Sequence, residues 1–242
     1  NAITITVKGT NDAPVLGEPQ WTKDSEITQD LDSSATTRIS GTVTATDADS
    51  GDQAGLKFYF VAGEPTTDAA TGVTTTPIAT TLYVLPTMDG DGKVTGYTLT
   101  SDKPASGVDY LGELNMSSSN GEGSYAFTLN NASPTVQGMG ETDTHDISFK
   151  IAVRDPQGAY NTQKGDVTFT IRGGDDPTFI NTGDLHQDHK LIEAGVMPKS
   201  TVTDAEAREY EDSSEGVPTA TGRIHATDVD TKDQKELDTA PN

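Results

Sequence analysis

Acidic residues recur directly after strands that the sequence predicts. Asp47 and Asp49 form a D-x-D pattern just past a run of β-branched residues, and Asp155 follows the strand predicted from Ile147 to Val153. Carboxylates that alternate beyond the end of a strand can converge on one point in the turn, and a hard cation such as Ca²⁺ takes about six to eight oxygen ligands at short range. The pattern therefore favours a Ca²⁺ site at this end of the strands.

The linker before the first long strand adds further oxygen donors. Asn11 and Asp12 lie in this linker, and an ion bound there would fix the angle between the segments on its two sides. A matching set of acids, in a second linker and a second D-x-D, comprises Asp175, Asp176, Asp228 and Asp230. We therefore expect two junctions of the same kind, with Ca²⁺ as the cofactor of each.

Ordinary turn chemistry is the alternative explanation for these acids, because Asp and Asn favour turn conformations without any metal. The linker acids and the D-x-D recur together, however, and the formal charge of −22 needs neutralising, so Ca²⁺ is the preferred interpretation. The Asp89-Gly-Asp91-Gly segment lacks the later Glu of an EF-hand loop and is predicted to be a hairpin turn.

Two pairs of near copies indicate an internal repeat. The strand Ile3 to Val7 and its linker return at Val167, displaced by 164 positions, and the strand before Asp47 returns before Asp228, displaced by 181. Matching landmarks in the same order predict a tandem array with a period of roughly 165 residues. The predicted domains are 1–10, the closing strand of a preceding repeat; 11–174, a complete repeat; and 175–242, the opening part of the next repeat.

The elements that must position these acids are short strands. Thr is the commonest of the 242 residues at 38, and 24 Gly and 12 Pro supply turns, which predicts an all-β protein. Eight strands are predicted in the complete repeat, which points to a β-sandwich. Their ranges are 38–46, 56–62, 80–86, 94–100, 111–116, 124–130, 145–154 and 165–172.

The balance of 16 basic against 38 acidic residues restricts the partners of the chain. A nucleic-acid partner is excluded because phosphates need a basic surface, and docking on anionic lipid is disfavoured for the same reason. The absence of cysteine removes disulfides and thiolate metal sites. No apolar run approaches the length of about 18 residues that spans a bilayer, so membrane insertion is not expected.

No enzyme is predicted. His186-x-x-His189 is the one histidine pair with metal-like spacing, but zinc needs further ligands and zincins space the pair differently on a helix. Neither a Gly-x-Ser-x-Gly elbow nor a phosphate-binding glycine loop occurs. Paired carboxylates for glycoside hydrolysis are defined by their spatial separation, and nothing in the sequence selects a pair.

Several strings of residues resemble a known family. Thr4-Ile5-Thr6-Val7-Lys8-Gly9-Thr10-Asn11-Asp12-Ala13-Pro14-Val15 looks like the closing strand and linker of the VCBS-type, cadherin-like tandem repeats of giant bacterial RTX adhesins. The segments Tyr125 to Gln137, Leu191 to Gly195 and Pro218 to Gly222 are similar to other parts of that repeat. The resemblance touches about two thirds of the chain and departs between Gln53 and Leu111, where this repeat is longer.

The resemblance implies Ig/cadherin-like β-sandwich repeats in tandem within a type I secreted, extracellular protein of the bacterial cell surface that mediates cell adhesion and biofilm formation. It implies that Asn11, Asp12, Asp47, Asp49 and Asp155 share one interdomain Ca²⁺ site. It also implies that the acids of the second linker and the second D-x-D share another, to which Glu26 is a weaker candidate. The chain would then be a Ca²⁺-rigidified extender module, with the neighbouring repeats of the same adhesin as its partners.

The alternative function is a ligand-binding adhesin module. Residues 62–106 lengthen the repeat, and long insertions are where a scaffold carries individual function. This insertion would form the binding face for a glycan or a peptide, and the partner would be a glycan or a protein on a target surface. Phe58, Tyr59 and Phe60 are consecutive on one predicted strand, so at least one ring faces outward, either as packing or as a stacking platform. Trp21 is predicted to cover one end of the repeat.

Overall fold

The computed structural model describes residues 3, 5–23, 25–30, 32, 35–49, 51–72, 74–162, 166–187 and 222–230. These residues are nearly all β, with a short 3₁₀-helix at Gln53–Gly55 and one α-helical turn, α1, at Pro134–Gln137. The strands in chain order are β1 (Val15–Leu16), β2 (Gln20–Trp21), β3 (Glu26–Thr28), β4 (Thr37–Thr46), β5 (Lys57–Val61), β6 (Thr66–Thr67), β7 (Thr74–Thr75), β8 (Ile78–Ala79), β9 (Thr81–Met88), β10 (Val94–Thr100), β11 (Gly112–Ser119), β12 (Glu122–Leu129), β13 (Thr144–Phe149), β14 (Ile151–Arg154), β15 (Tyr160–Thr162), β16 (Val167–Arg172), β17 (Phe179–Gln187) and β18 (Gly222–Thr227).

The chain divides into two compact units. The first comprises Asn1–Asp176 with Asp230–Asp233, and the second comprises Pro177–Val229 with Gln234–Asn242. The first unit contains β1 to β16, and the second contains the antiparallel pair β17 and β18. The predicted boundaries of the preceding and following repeats stay predictions.

One layer of the first unit is a seven-stranded sheet in the order β1-β4-β12-β11-β9-β10, with β2 also paired to β4. Burial alternates with period 2 along β4 from Thr37 to Thr46. The hairpin between β9 and β10 turns at Asp89, whose Oδ1 accepts hydrogen bonds from the backbone amides of Asp91 (3.1 Å) and Lys93 (2.8 Å). The sequence-based prediction of this turn is confirmed.

The opposite layer contains two smaller sheets, β13-β16-β3 and β15-β14-β5-β8, in which β3 runs parallel to β16. Buried residues from both layers form a single apolar cluster, and the rings of Phe127 on β12 and Phe169 on β16 lie 4.4 Å apart. The fold is therefore the predicted all-β sandwich. Trp21 packs edge-to-face on Tyr125 and Phe149, so it belongs to the edge of this core.

The strands predicted from alternation are present, except that one of them is divided into two separate strands. The strand predicted over 145–154 is two strands in different sheets, β13 and β14, which separate at Lys150. The segment 62–106, which lengthens the repeat, contains two of the predicted strands. Its second half forms β9 and β10 of the main sheet, and Leu82 and Val84 are fully buried. Residues 62–80 contain the short hairpin β6–β7 and the edge strand β8.

The segment from Ile3 to Val7 was expected to be a strand, and its described residues lie outside every strand. Ile3, Ile5 and Val7 are 89%, 82% and 88% exposed. Their counterparts 164 positions later, Val167, Phe169 and Ile171, are the three buried residues of β16. A strand needs a neighbouring strand to pair with, so the same alternating pattern forms a strand only where β13 and β3 flank it.

Candidate metal centre

The D-x-D turn after β4 brings three carboxylates together. One oxygen from each of Asp47, Asp49 and Asp52 lies within 4.8 Å of the other two. The turn is held by the backbone amide of Asp49, which donates to Oδ1 of Asp47 over 2.8 Å, and Gly51 adopts the positive φ of 101° that the chain reversal requires. The turn geometry therefore points three acidic side chains at one another.

Gln53 anchors this turn to the end of β4. Its Oε1 accepts a hydrogen bond from the backbone amide of Asp47 over 3.2 Å, and its Nε2 donates to the carbonyl oxygen of Ala45 over 2.7 Å. The side chain of Gln53 therefore holds the start of the turn, at Asp47, against the end of β4.

The linker residues join the same region from the other side. The backbone amide of Asp12 donates to Oδ2 of Asp49 over 2.7 Å, and Nδ2 of Asn11 donates to Oδ2 of Asp155 over 2.6 Å. The Nδ2 of Asn161, on β15, holds the linker further along by donating to the carbonyl oxygen of Pro14 over 3.1 Å. The five residues of the first predicted junction are thus connected by hydrogen bonds.

Asp155 lies on a turn that its own carboxylate stabilises. Its Oδ1 accepts hydrogen bonds from the backbone amides of Gly158 and Ala159, at 2.5 Å and 2.8 Å. Desolvation raises the pKa of Asp155, but the hydrogen bonds from Asn11 and from these amides outweigh it and hold the pKa below its ordinary value. Asp155 is therefore ionised at neutral pH, but both of its carboxylate oxygens accept hydrogen bonds, and it lies outside the cluster that Asp47, Asp49 and Asp52 form.

The acid cluster lacks the compensation that buried carboxylates usually have. Asp52 is 8% exposed, and its Oδ1 accepts from Nε2 of Gln157 over 3.1 Å. Its Oδ2, and Oδ2 of Asp47, are buried without a hydrogen-bond partner. The ion pairs in the described part of the chain are Lys150–Asp166 and Arg172–Glu26, so no basic side chain there neutralises the cluster. Buried anionic oxygens of this kind are the donors that a hard cation takes.

Sequence reasoning missed Asp52. The signal was its position five residues after Asp47, just past Gly51, where a turn returns the chain to the D-x-D. The D-x-D pattern does not extend to Asp52, which lies directly before the 3₁₀-helix and makes no side-chain capping hydrogen bond.

The residues of the second predicted junction fall in both units. In the first unit, the backbone amide of Asp176 donates to Oδ2 of Asp230 over 3.1 Å, and both residues are buried. Gln29 adds a contact that the sequence did not predict, from its Nε2 to Oδ2 of Asp176 over 3.2 Å. Asp175 is exposed.

In the second unit, Oδ2 of Asp228 accepts a hydrogen bond from Oγ1 of Thr178 over 2.6 Å. Glu26, the weaker candidate for this junction, is engaged elsewhere: the guanidinium of Arg172 contacts its two carboxylate oxygens at 2.9 Å and 3.0 Å. The hydrogen bond to Arg172 lowers the pKa of Glu26. This ion pair therefore accounts for Glu26 without a metal.

The cluster of carboxylates found among the described residues contains no histidine. His145 lies on β13, where its ring meets that of Tyr97 at 5.2 Å. His189, half of the pair with metal-like spacing, lies outside the described residues.

The comparisons with known proteins give little. No protein-family model matches the chain, and no curated protein matches it. Among solved structures, the chain is similar to AggA, the major subunit of aggregative adherence fimbriae type I from Escherichia coli, with 18% identity over 69% of this chain and 98% of that one. The TM-score of 0.29 is too low to carry an argument. No helix in the described ranges is long and apolar enough to cross a membrane.

Proposed function

We propose that this chain is an extender module of an extracellular bacterial cell-surface adhesin, stiffened by Ca²⁺ at its junctions, and that its role is structural and not catalytic. The observation that carries the proposal is the cluster of Asp47, Asp49 and Asp52, with a buried Oδ2 on Asp52 that has no hydrogen-bond donor. The linker that precedes the repeat is hydrogen-bonded to this same cluster. An ion held there would tie the linker to the sandwich.

The donor set fits Ca²⁺. Every candidate ligand is a carboxylate, amide or carbonyl oxygen, which suits a hard cation that accepts irregular geometry. Nitrogen or sulfur ligands, which a zinc site would use, are absent from the clustered residues. Asp47, Asp49 and Asp52 would hold the ion, with Asn11, Asp12 and Asp155 completing the site from the linker and the turn after β14.

The resemblance of the linker and strand strings to VCBS-type RTX adhesin repeats supports the adhesin assignment. On the basis of this resemblance, the proposal includes type I secretion, a place in a tandem array and a role in biofilm attachment. The segment Ile3 to Val7 supports a tandem array. Its apolar residues are exposed, whereas the apolar residues at the corresponding positions of β16 are buried in the sandwich. Neighbouring repeats of the same adhesin would be the partners of this module.

The deciding experiment compares Asp52→Asn with the wild-type chain in Ca²⁺ and in chelator. Extracellular Ca²⁺ modules bind with a Kd of about 10⁻⁴ to 10⁻³ M, so about 10 mM Ca²⁺ should stabilise the wild type by about 1.4–2.7 kcal/mol. Asp52→Asn should lose most of this increment. In chelator the variant should be at least as stable as wild type, because it removes one of three crowded, partly buried negative charges.

The matched control is Asp91→Asn, which makes the same charge change in the exposed β9–β10 turn. This variant should keep the gain in stability that Ca²⁺ gives the wild type. NaCl at the same ionic strength should stabilise either variant much less than Ca²⁺ stabilises the wild type. Calorimetric melting measures all of these. If Asp52→Asn keeps the full increment, the metal site is assigned wrongly.

Stiffening is measured separately by small-angle scattering of the full chain. A distance distribution that broadens when Ca²⁺ is chelated supports a junction role. Profiles that coincide with and without Ca²⁺ mean that a bound ion stabilises the sandwich without stiffening the linker, and the extender proposal then fails even if the ion binds.

A further inference from the structure

A partly open pocket lies on the outer face of the sheet β15-β14-β5-β8. Its volume is about 250 Å³. The alternation of β5 turns Phe58 and Phe60 into the core and leaves Tyr59 on the outer face. Ala152 is directly opposite Tyr59 in the ladder, so it shares this face, and Ala152 is nonetheless buried. Something other than the core therefore covers the outer face here.

The cover is the segment between β5 and β8. A backbone hydrogen bond of 2.8 Å from Ala62 to Pro77 closes the segment at its base, and the hydroxyls of Thr67 and Thr74 pair across the β6–β7 hairpin at 2.8 Å. Residues Thr74 to Thr76 then form one wall of the pocket. The added length that distinguishes this repeat in sequence is thus what turns a flat sheet face into a pocket.

Two tyrosines and an arginine line the pocket with these threonines. Tyr59 is half-buried, and Tyr160 on β15 is 42% exposed, with its hydroxyl 3.3 Å from that of Thr76. Ala152 also lines the pocket. Aromatic faces beside hydroxyl donors suit a ring that is apolar on its faces and polar at its edge, which is the chemistry of a sugar.

The charge on this face is the opposite of that of the chain. Lys57 and Arg154 are directly opposite each other in the β5–β14 ladder, a placement of like charges that costs stability. The chain has 16 basic residues against 38 acidic ones, yet the described part of the chain shows no ion pair for either of these two. Arg154 donates from its Nε to the carbonyl oxygen of Gly158 over 3.3 Å, which keeps its guanidinium at the pocket.

We propose that this pocket, formed by Tyr59, Thr75, Ala152, Arg154 and Tyr160, binds one sugar ring that carries a carboxylate. The tyrosines would take the ring faces, the threonine hydroxyls would meet the sugar hydroxyls, and Arg154 with Lys57 would pair with the carboxylate. The volume is below the ~300–1,000 Å³ of sites for drug-sized ligands, which limits occupancy to one ring. This site goes beyond the extender role and does not depend on bound Ca²⁺.

The test is nuclear magnetic resonance titration of the full ¹⁵N-labelled chain with methyl glucuronide, methyl galacturonide and N-acetylneuraminic acid, each with and without Ca²⁺. The uronides represent acidic polysaccharides, and the sialic acid represents host-type glycans. The expected result is a Kd on the order of 1 mM for at least one acid, with shifts confined to β5, β14, β15 and the β6–β7 hairpin. Methyl glucoside and methyl galactoside, which lack the carboxylate, should bind about tenfold more weakly or not at all.

Arg154→Gln should weaken the binding of the acidic sugar about tenfold. The variant should fold, because it relieves the like-charge pair on an exposed face, and its melting temperature checks this. Arg38→Gln, an exposed arginine on β4 in the other layer, makes the same change elsewhere and should leave binding intact. Tyr160→Ser should weaken the acidic sugar as well, since it removes a ring face.

Several results overturn the proposal: no binding of any acidic sugar at tens of millimolar, equal binding of the acidic and neutral sugars, equal loss in Arg154→Gln and Arg38→Gln, or acetate binding as tightly as the acidic sugar. Loss of the Ca²⁺ effects with sugar binding intact would defeat the extender proposal alone, so the two are separable.

Discussion

The backbone amide of Asp12 donates a hydrogen bond to Oδ2 of Asp49 over 2.7 Å. The same bond recurs in the first unit between the amide of Asp176 and Oδ2 of Asp230, at 3.1 Å. Asp176 is the counterpart of Asp12 at a displacement of 164, and Asp230 is the counterpart of Asp49 at 181. Each predicted linker therefore donates a backbone hydrogen bond to the last Asp of the D-x-D that follows it, and the tandem repeat itself stays a prediction.

The first prediction concerns this hydrogen bond. Asp49→Ala removes the acceptor of the Asp12 amide, and we expect a loss of about 1 kcal/mol of unfolding free energy in chelator. Hydrogen exchange at the Asp12 amide should accelerate, because nothing else in the described contacts accepts from it. The measurement is exchange followed by nuclear magnetic resonance.

Asp89→Ala is the control for that change. It also removes a carboxylate that accepts from backbone amides, but in the β9–β10 turn. Its effect on exchange should stay within that hairpin. Unchanged exchange at Asp12 in Asp49→Ala would mean that the linker is held by Asn11 and Asn161 alone.

Local pattern was sufficient to predict the main strands and the D-x-D turn. The period-2 alternation of β4 and the Asp-Gly turn signal at Asp89 each involve only neighbouring residues in the sequence, so no tertiary information is needed to recognise them. The division between β13 and β14 at Lys150 could not be predicted in this way. Buried residues flank Lys150 on both sides, and only the choice of partner strand separates the two sheets.

Features that depend on the register between paired strands could not be predicted from the sequence either. The like-charge pair Lys57 and Arg154 is separated by almost a hundred positions in the chain, and it appears only when the β5–β14 ladder is known. The hydrogen bond from Gln29 to Asp176 likewise joins residues that are far apart in the sequence. The segment Ile3 to Val7 shows the converse: an alternating pattern was recognised, but a strand also needs a partner, and the described structure provides none there.

The second prediction concerns how closely the layers pack at Gly123 on β12. A Cβ there would lie 2.7 Å from Cγ of Phe58 and 2.8 Å from Cγ1 of Val43, closer than side-chain atoms can approach. Gly123→Ala should therefore destabilise the fold by about 1–3 kcal/mol in urea unfolding. Gly96→Ala, on β10, meets nothing within 4 Å and should be neutral or gain up to about 1 kcal/mol. Equal stabilities of the two variants would contradict the packing of β5 under β12.

The third prediction concerns His145 and the pH dependence of stability. Burial against Tyr97 lowers the pKa of His145 and outweighs the opposing effect of Asp143 and Asp146, which raise it. The unfolded chain therefore takes up a proton near the ordinary histidine pKa of about 6.5, while the folded chain does so only at lower pH. The stability that neutral His145 contributes is present above the unfolded pKa and is lost as the pH falls from there towards the folded pKa.

Denaturant midpoints of the wild type and of His145→Gln, measured in chelator between about pH 8 and about pH 5, isolate this effect, because the carboxylates common to both chains cancel in the difference. The wild type should lose stability relative to the variant as the pH decreases through about 6.5, and the difference should level off once the folded histidine is protonated too. A difference that does not change with pH would show that His145 has the same pKa in the folded and unfolded chains. A difference that moves the other way would show that Asp143 and Asp146, and not burial, control the pKa of this side chain.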